Sequence, residues 1–320
     1  MANLESQMKK SIRIFLTGGL GNQLFQLAAA LQFKKNRKLE IDLVTAKPRL
    51  NSQGVAELLS LKLPVDIKFL EQNQGRVTQK IFGFNLRSGY APYSIEKAKF
   101  FQILRNSISS LILTFTLRKT FKIRPAKNLG FDSAIVTSKR SEILIGYFQT
   151  YHYADRILEI KDQIFTNVSV REYRKYTELA KIELPLLVHI RLTDYRLEQK
   201  FGCPSFHYYD QAIRTLWKLG TYKNIWLFSD EPQSALDRIP EHLKSVTRII
   251  QSENLESADT LRIMTTCKGF VIANSTFSWW GAYLRDDPDA PVIAPSPWFK
   301  EMSEPKDLIP KSWTRMSAFE

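Results

Sequence analysis

The sequence predicts an α/β protein of two Rossmann-like halves, each built from short parallel strands and covering helices. Three observations carry that expectation. A strand, a glycine loop and a helix open the chain, and short apolar runs alternate with amphipathic stretches through its second half. The length of 320 residues, at 37.1 kDa, is enough for two domains of roughly 150 residues each.

In "SIRIFLTGGLGNQLFQLAAALQFKKN" (11–36), Ile12, Ile14 and Leu16 alternate as in a strand. Leu24, Phe25, Leu27, Ala28 and Leu31 then recur at helical spacing. Gly18, Gly19 and Gly21 lie between the two patterns, and a glycine loop at a helix start offers backbone N–H groups to an anion. A dinucleotide fingerprint would need Gly-x-Gly-x-x-Gly and an acid about 20 positions on. Gly19 and Gly21 fit its first places and Asp42 lies near the acidic one, but Leu24 stands where the third glycine belongs. An NAD-dependent oxidoreductase is therefore carried as an alternative.

A second strand is expected at 39–44. A less regular middle (about 62–128), rich in Lys, Arg and Phe, precedes "SEILIGYFQTYHYADRI" at 141–157. Within the middle, "SLILTFTL" (110–117) lies among Arg105, Arg118, Lys119, Lys122 and Arg124. It is too short to span a bilayer but could rest on one, with a buried helix or strand as the ordinary alternative. The polar stretch "TNVSVREYRKYTELAKIE" separates the halves, giving domains of 1–165 and 166–320.

The second half reads as strands at "LPLLVHIR" (184–191), "NIWLFSD" (224–230), "TRIIQ" (247–251), "GFVIAN" (269–274) and "PVIAP" (291–295). Helical stretches, "YYDQAIRTLWKL", "PQSALDRI", "SADTLRIMTTC" and "STFSWWGAYLR", fall between them. Ligands of such sheets sit beyond the carboxyl ends of the strands. That directs attention to Arg191–Tyr195, Ser229–Glu231 and Asn274–Ser278. Two such halves suggest, by analogy of fold, a nucleotide-sugar transferase of the GT-B type with a central cleft.

Composition narrows the classes. Hydrophobic residues make up 44% and aromatics 12%, as in a globular protein, and no apolar run reaches the roughly 18 residues of a membrane span. The start "MANLESQMKKS" does not read as a secretory signal. Cys203 and Cys267 are the only cysteines and show no metal-ligand spacing, so a reducing cytoplasmic location is expected, without zinc. Residues 1–160 hold 25 Lys+Arg against 11 Asp+Glu, a balance of 25 − 11 = +14, which is the whole formal charge of the chain. An anionic membrane surface, an anionic substrate or nucleic acid could answer it. A basic nucleic-acid-binding protein is the non-enzymatic alternative, though no fold motif or aromatic platform supports nucleic acid as a partner.

Three stretches carry candidate chemistry. In "HIRLTDY" (189–195), His189 and Arg191 lie two apart at a strand end and point to one side, and Asp194 opens the following loop. A guanidinium there can grip two phosphate oxygens, while a structural Arg–Asp pair is the ordinary reading. In "ANSTFSWWGAYL", Asn274, Ser275, Thr276 and Ser278 place amide and hydroxyl groups at a helix start, with Phe277, Trp279 and Trp280 as core anchors. Asp259 heads "DTLRIMTTC", where a carboxylate can accept guanine N1–H and its amine or simply favour the helix dipole.

"GGLGNQLFQLA", "GYFQTYHY", "HIRLTDY", "FSDEP" and "CKGFVIANSTFSWWGAYL" occur in this order across about 13–298. Together they resemble glycosyltransferase family 11, the galactoside α-1,2-fucosyltransferases. The resemblance implies transfer of fucose from GDP-β-L-fucose to O2 of a terminal galactose, on a glycan or lipid-linked oligosaccharide, with inversion and no metal or other cofactor. It implies that the Gly19-Leu20-Gly21-Asn22 loop, chiefly Asn22, meets the fucosyl-diphosphate region and that Arg191 holds the diphosphate. Asp259 would read guanine, and Asn274, Ser275, Thr276 and Phe277 would complete the donor pocket. His189, Asp194 or the leaving phosphate would take the acceptor proton. The family usually has Arg-Arg-Gly-Asp where this chain has Arg191-Leu192-Thr193-Asp194, and Glu where Asp259 stands. "DPD" (287–289) has the spelling of a metal motif but sits in a charged turn. A bacterial-type enzyme acting on lipid-linked sugars would gain from peripheral attachment at the inner membrane face through its basic first half.

Overall fold

The computed structural model describes residues 11–35, 39–69, 123–125, 129–133, 143–251 and 255–319. "SLILTFTL" and the neighbouring Arg105, Arg118, Lys119 and Lys122 lie outside the described residues, and Arg124 is described only through its backbone. The chain forms two compact units, Met1–Arg49 with Leu63–Glu159, and Leu50–Lys62 with Ile160–Glu320. The division thus falls at Glu159/Ile160, and a thirteen-residue piece of the first half (50–62) belongs to the second unit.

The first unit contains β1 (Ser11–Gly18), α1 (Leu20–Lys34), β2 (Glu40–Pro48), β3 (Ile67–Phe69), β4 (Ile123–Pro125), β5 (Ile143–Ile145) and α2 (Tyr151–Leu158). Its sheet runs β3-β2-β1-β5-β4, with every pairing parallel. The alternation in β1 understates its burial. Phe15 is as buried as Ile14 and Leu16, as suits a parallel strand covered on both faces. Leu24 is fully buried, so α1 packs on the sheet through a leucine where a dinucleotide fold would use glycine. Asp42 lies opposite Arg13 in the β1–β2 register and accepts from Ser11 Oγ at 2.7 Å and Arg13 Nε at 3.5 Å. It is occupied within the sheet, away from the strand end where a ribose would need it.

The second unit contains α3 (Val170–Glu183), β6 (Leu186–Ile190), α4 (Thr193–Leu197), α5 (Phe206–Trp217), β7 (Ile225–Ser229), α6 (Pro232–Leu236) and β8 (Thr247–Ile249). It continues with α7 (Ser257–Met264), β9 (Gly269–Val271), α8 (Thr276–Tyr283), β10 (Val292–Ser296) and β11 (Thr314–Ser317). The sheet is parallel throughout, in the order β11-β10-β9-β6-β7-β8. Counted from β6, this is the doubly wound 3-2-1-4-5-6 arrangement, and the first sheet shares its 3-2-1 half but continues 5-4, so both units are parallel and Rossmann-like with the last two strands of the first exchanged.

The strands and helices expected in the second half are present, most with shorter bounds, whereas the strand expected at 39–44 runs on to Pro48. In "GFVIAN" only Gly269–Val271 is strand, and the buried Ile272, Ala273 and Asn274 continue as irregular chain toward α8. The stretch expected to be a boundary is mostly α3, capped by Ser169, whose Oγ accepts from Glu172 N at 3.5 Å. Its polar sequence hides a helix that buries only Tyr176, Ala180 and Glu183. β11 escaped prediction because "TRMS" carries a single apolar residue.

One face of the second sheet packs Leu186, Val188, Ile190, Ile225 and Leu227 against Tyr208, Tyr209 and Ile213 of α5. Burying each such side chain stabilises by about 1.5–3 kcal/mol. Trp226 meets Tyr176 of α3 edge-on at 5.6 Å and donates Nε1–H to Glu183 Oε2 at 2.6 Å. Glu183, itself buried, also accepts from Arg248 Nε at 3.1 Å. Replacing Glu183 by Ala leaves the Trp226 indole N–H without its acceptor and is expected to cost about 1–3 kcal/mol in urea unfolding. Glu183→Gln, which keeps a carbonyl acceptor, is expected to lose less.

Candidate active site

In each unit the strand order reverses beside the unit's first strand, between β1 and β5 and between β6 and β9. A crevice at the carboxyl edge is expected at both places. The sequence motifs collect there.

In the first unit the end of β1 leads through Gly18 and Gly19 into α1. Gly18 has φ +68°, and a Cβ built on it would lie 2.6 Å from Asn22 Nδ2, so the turn needs glycine. Gly19 is the N-cap without a side-chain bond, Leu20 and Gly21 are buried, and Asn22 is half-buried in the first turn. Leu20 belongs to the core, so any ligand contact there is through backbone. Asn22 Oδ1 accepts from Gln149 Nε2 at 3.0 Å. Gln23 donates to the carbonyls of Gly18 at 2.8 Å and Arg49 at 3.2 Å. Gln26 accepts Thr17 N–H at 3.0 Å and donates to the Gly146 carbonyl at 3.1 Å. Gln26 and Gln149 tie "GGLGNQLFQ" to "GYFQ", Gln23 ties the glycine turn to Arg49, and none was singled out from the sequence, where only their place inside the two motifs marks them.

In the second unit, Ile190 of β6 pairs in register with Ser229 of β7, so Arg191 and Asp230 leave the sheet side by side. Arg191 Nε lies 3.2 Å from Asp230 Oδ2. Asp230 also accepts the N–H of Leu192 at 3.0 Å, that of Thr193 at 3.1 Å and the Thr193 hydroxyl. Burial alone would raise its carboxyl pKa, but Thr193, Leu192 and Arg191 together hold it below the usual value. Leu192 is buried in the α5-facing core. The sequence reading placed Asp230 beyond a strand end but gave it no role.

His189 is buried beside Phe277, with ring centroids 6.2 Å apart, and its Nδ1 has no hydrogen-bond partner among the described residues. Burial, then the neighbouring Arg191 charge, push its pKa down to about 3, against the pull of Asp230. A group so weakly basic is neutral and a poor proton acceptor near pH 7, which weighs against His189 as the base expected from the sequence. Asp194 lies in α4, and its side chain is outside the described residues.

Asn274 is buried and donates to the Phe201 and Gly202 carbonyls at 3.1 and 2.9 Å, while its own carbonyl accepts from the Tyr195 hydroxyl at 3.0 Å. It ties the loops together. Ser275 caps α8, its Oγ accepting from Phe277 N at 3.3 Å, and Thr276 and Phe277 are half-buried. Trp279 and Trp280 anchor the helix in the core, and Trp279 Nε1 donates to the Leu308 carbonyl at 3.0 Å. Asp259 is a buried first-turn residue of α7. Its Oδ1 accepts Ser169 N–H at 2.7 Å and its Oδ2 accepts Glu256 N–H at 3.1 Å. A carboxylate offers about four acceptor positions, so a second pair remains on those two oxygens. In "DPD", Asp287 accepts Asp289 N–H at 3.1 Å within a turn.

The buried neutral imidazole has a consequence for acid stability. An unfolded histidine protonates near pH 6.5, whereas His189 in the fold resists protonation down to about pH 3. Its contribution to stability is therefore lost as pH falls below about 6.5, at about 1.4 kcal/mol per unit until the folded pKa is reached. His189→Gln is expected to flatten the pH dependence of urea unfolding between about pH 6.5 and 4. An unchanged slope would place the acid lability elsewhere.

A family model described as glycosyl transferase family 11 matches residues 11–316. The O-antigen biosynthesis glycosyltransferase WbnK of Escherichia coli is 29% identical over 325 residues, covering 94% of this chain and 99% of that protein. The α-1,2-colitosyltransferase of Escherichia coli is 25% identical over 310 residues, covering 94% and 97%. The solved structure of POFUT1 in complex with GDP gives a TM-score of 0.47 at 14% identity, over 89% of this chain and 98% of that one. The family match displaces the oxidoreductase and non-enzymatic alternatives, and Asp42 paired inside the sheet agrees with that. Its span takes in both motif-bearing units, and the chain belongs to glycosyl transferase family 11.

Proposed function

We propose that the protein transfers fucose from GDP-β-L-fucose to O2 of a terminal galactose, inverting the anomeric centre without a metal ion. The observation that carries this reading is Arg191, fixed by Asp230 beyond the carboxyl end of β6 in a family 11 chain. As the fucosyl–oxygen bond breaks, positive charge builds on the sugar ring and negative charge on the departing GDP. A guanidinium already oriented in the site stabilises that negative charge with little reorganisation. The backbone N–H groups at the start of α8 add to it, behind the Ser275 cap. The acceptor hydroxyl forms the new bond to the anomeric carbon and gives its proton to Asp194 or to the leaving phosphate. Asp259, held by two backbone N–H groups, uses its remaining acceptor positions for guanine. In the first unit, the Gly19–Asn22 loop is the proposed donor contact.

The O-antigen role in the name of one relative supports a polysaccharide unit as acceptor, and the α-1,2 linkage in the name of the other is the linkage proposed here. If that unit is lipid-linked, the +14 charge of residues 1–160 would favour an anionic membrane surface. Among the described residues no helix is long and apolar enough to cross a membrane. Colitose is the second donor sugar to weigh, since one relative is named for it.

Incubation with GDP-fucose, a colitosyl donor and a panel of galactosides is expected to give an α-fucosyl product at O2, identified by NMR, with activity persisting in excess EDTA. Arg191→Lys is expected to lower kcat/KM by about 2–4 kcal/mol, because an ammonium loses the two-pronged grip. Preference for colitose, or abolition by EDTA with recovery on Mn²⁺, would overturn the respective part of the reading.

Asp259→Asn should cost about 1 kcal/mol of stability through the weakened helix start. It should also narrow the preference for GDP over ADP in calorimetric titration. A stability loss with unchanged preference would leave Asp259 as a cap alone.

A further inference from the structure

The pair at residues 192–193 departs from the family's usual Arg-Gly, and the structure gives each replacement a place. Leu192 is buried in the core beside α5, which fixes the backbone just after Arg191. Thr193 is exposed as a residue, yet its hydroxyl and its N–H both reach Asp230. The Asp230 carboxylate thus collects the Leu192 N–H, the Thr193 N–H, the Thr193 hydroxyl and Arg191 Nε. Three of these come from the two residues that follow the arginine, and Ser229 Oγ adds a longer contact to Oδ1 at 3.5 Å. An ion pair through Nε at 3.2 Å holds the guanidinium against the carboxylate on that side and leaves its terminal nitrogens on the other.

We propose that Asp230 is the positioning residue that aims Arg191 at the donor diphosphate, and that Thr193 fixes Asp230 in that role. Thr193 then acts through its hydroxyl and its N–H together, both on one carboxylate. A bare turn cap would hold the backbone of 191–193 equally well with any N–H acceptor and would be indifferent to the anion. The inference rests on the reading of Arg191 as the diphosphate-binding group.

The test is a double-mutant cycle read by GDP affinity and by kcat on GDP-fucose, with thermal unfolding measured in parallel. Thr193→Val keeps the side-chain shape and removes the hydroxyl, and is expected to weaken GDP about three- to tenfold. Thr193→Ser should restore affinity to within about twofold, since it returns the donor. Asp230→Asn should weaken GDP about ten- to a hundredfold, because a charged acceptor of several bonds is lost. In an Arg191→Gln background, Thr193→Val should have no further effect on GDP. An equal loss from Thr193→Val in both backgrounds, or none in either, would overturn the positioning role while the donor reading stands. Failure of the unaltered protein to bind GDP would overturn the donor reading and the proposal with it.

Discussion

A carboxylate drawn partly out of water must be surrounded by donors or it will not stay ionised. At the end of β7 that requirement is met by the neighbouring strand. The in-register pairing of Ile190 with Ser229 delivers Arg191, Leu192 and Thr193 alongside Asp230. The parallel sheet is therefore what makes an oriented guanidinium possible. The Tyr209–Ile213 core that seats Leu192 and the Glu183–Trp226 bond on the other face both hold the two strand ends in that relation.

The two units solve the same positional problem with different chemistry. Where the strand order reverses in the first, Gln23, Gln26 and Gln149 lock the glycine turn through neutral hydrogen bonds. Where it reverses in the second, a charged pair sits next to a buried imidazole that carries no charge. The proximity of Arg191 helps to keep His189 neutral, so the cationic group stands there without a cationic neighbour. Asn274, which looked like a ligand group, turns out to hold the Phe201–Gly202 loop.

Much of this was legible in the sequence because apolar runs mark buried parallel strands and the motifs sit at their ends. Arg191, Ser275 and the tryptophans of α8 could be located that way. Asp230 and Gln149 could not be given roles, since a role that consists of holding another residue needs the register between strands. α3 was obscured by its charged face, and β11 by having only one apolar residue. The dry surroundings of His189 could not be read either, because a ring at a strand end reads the same whether its surroundings are wet or dry. The notion of two contiguous halves fails at Leu50–Lys62, where nothing in the local pattern reports a long-range attachment.

That segment is fastened to the start of α7. Glu256 accepts the Ser60 hydroxyl at 3.0 Å and the Ser52 N–H at 3.3 Å, and Glu57 accepts the Ser257 hydroxyl at 2.8 Å. The Ser52–Glu256 contact closes a loop of 204 residues. On the ribosome, residues 50–62 emerge long before α7 and must wait for it, so this piece of the second unit stays unpaired until most of the chain has been made. Contacts so distant along the chain are costly to form and slow folding. A gene divided between Glu159 and Ile160 would yield a C-terminal fragment without its own Ser52, Glu57 and Ser60, leaving Glu256 and Ser257 without those three partners.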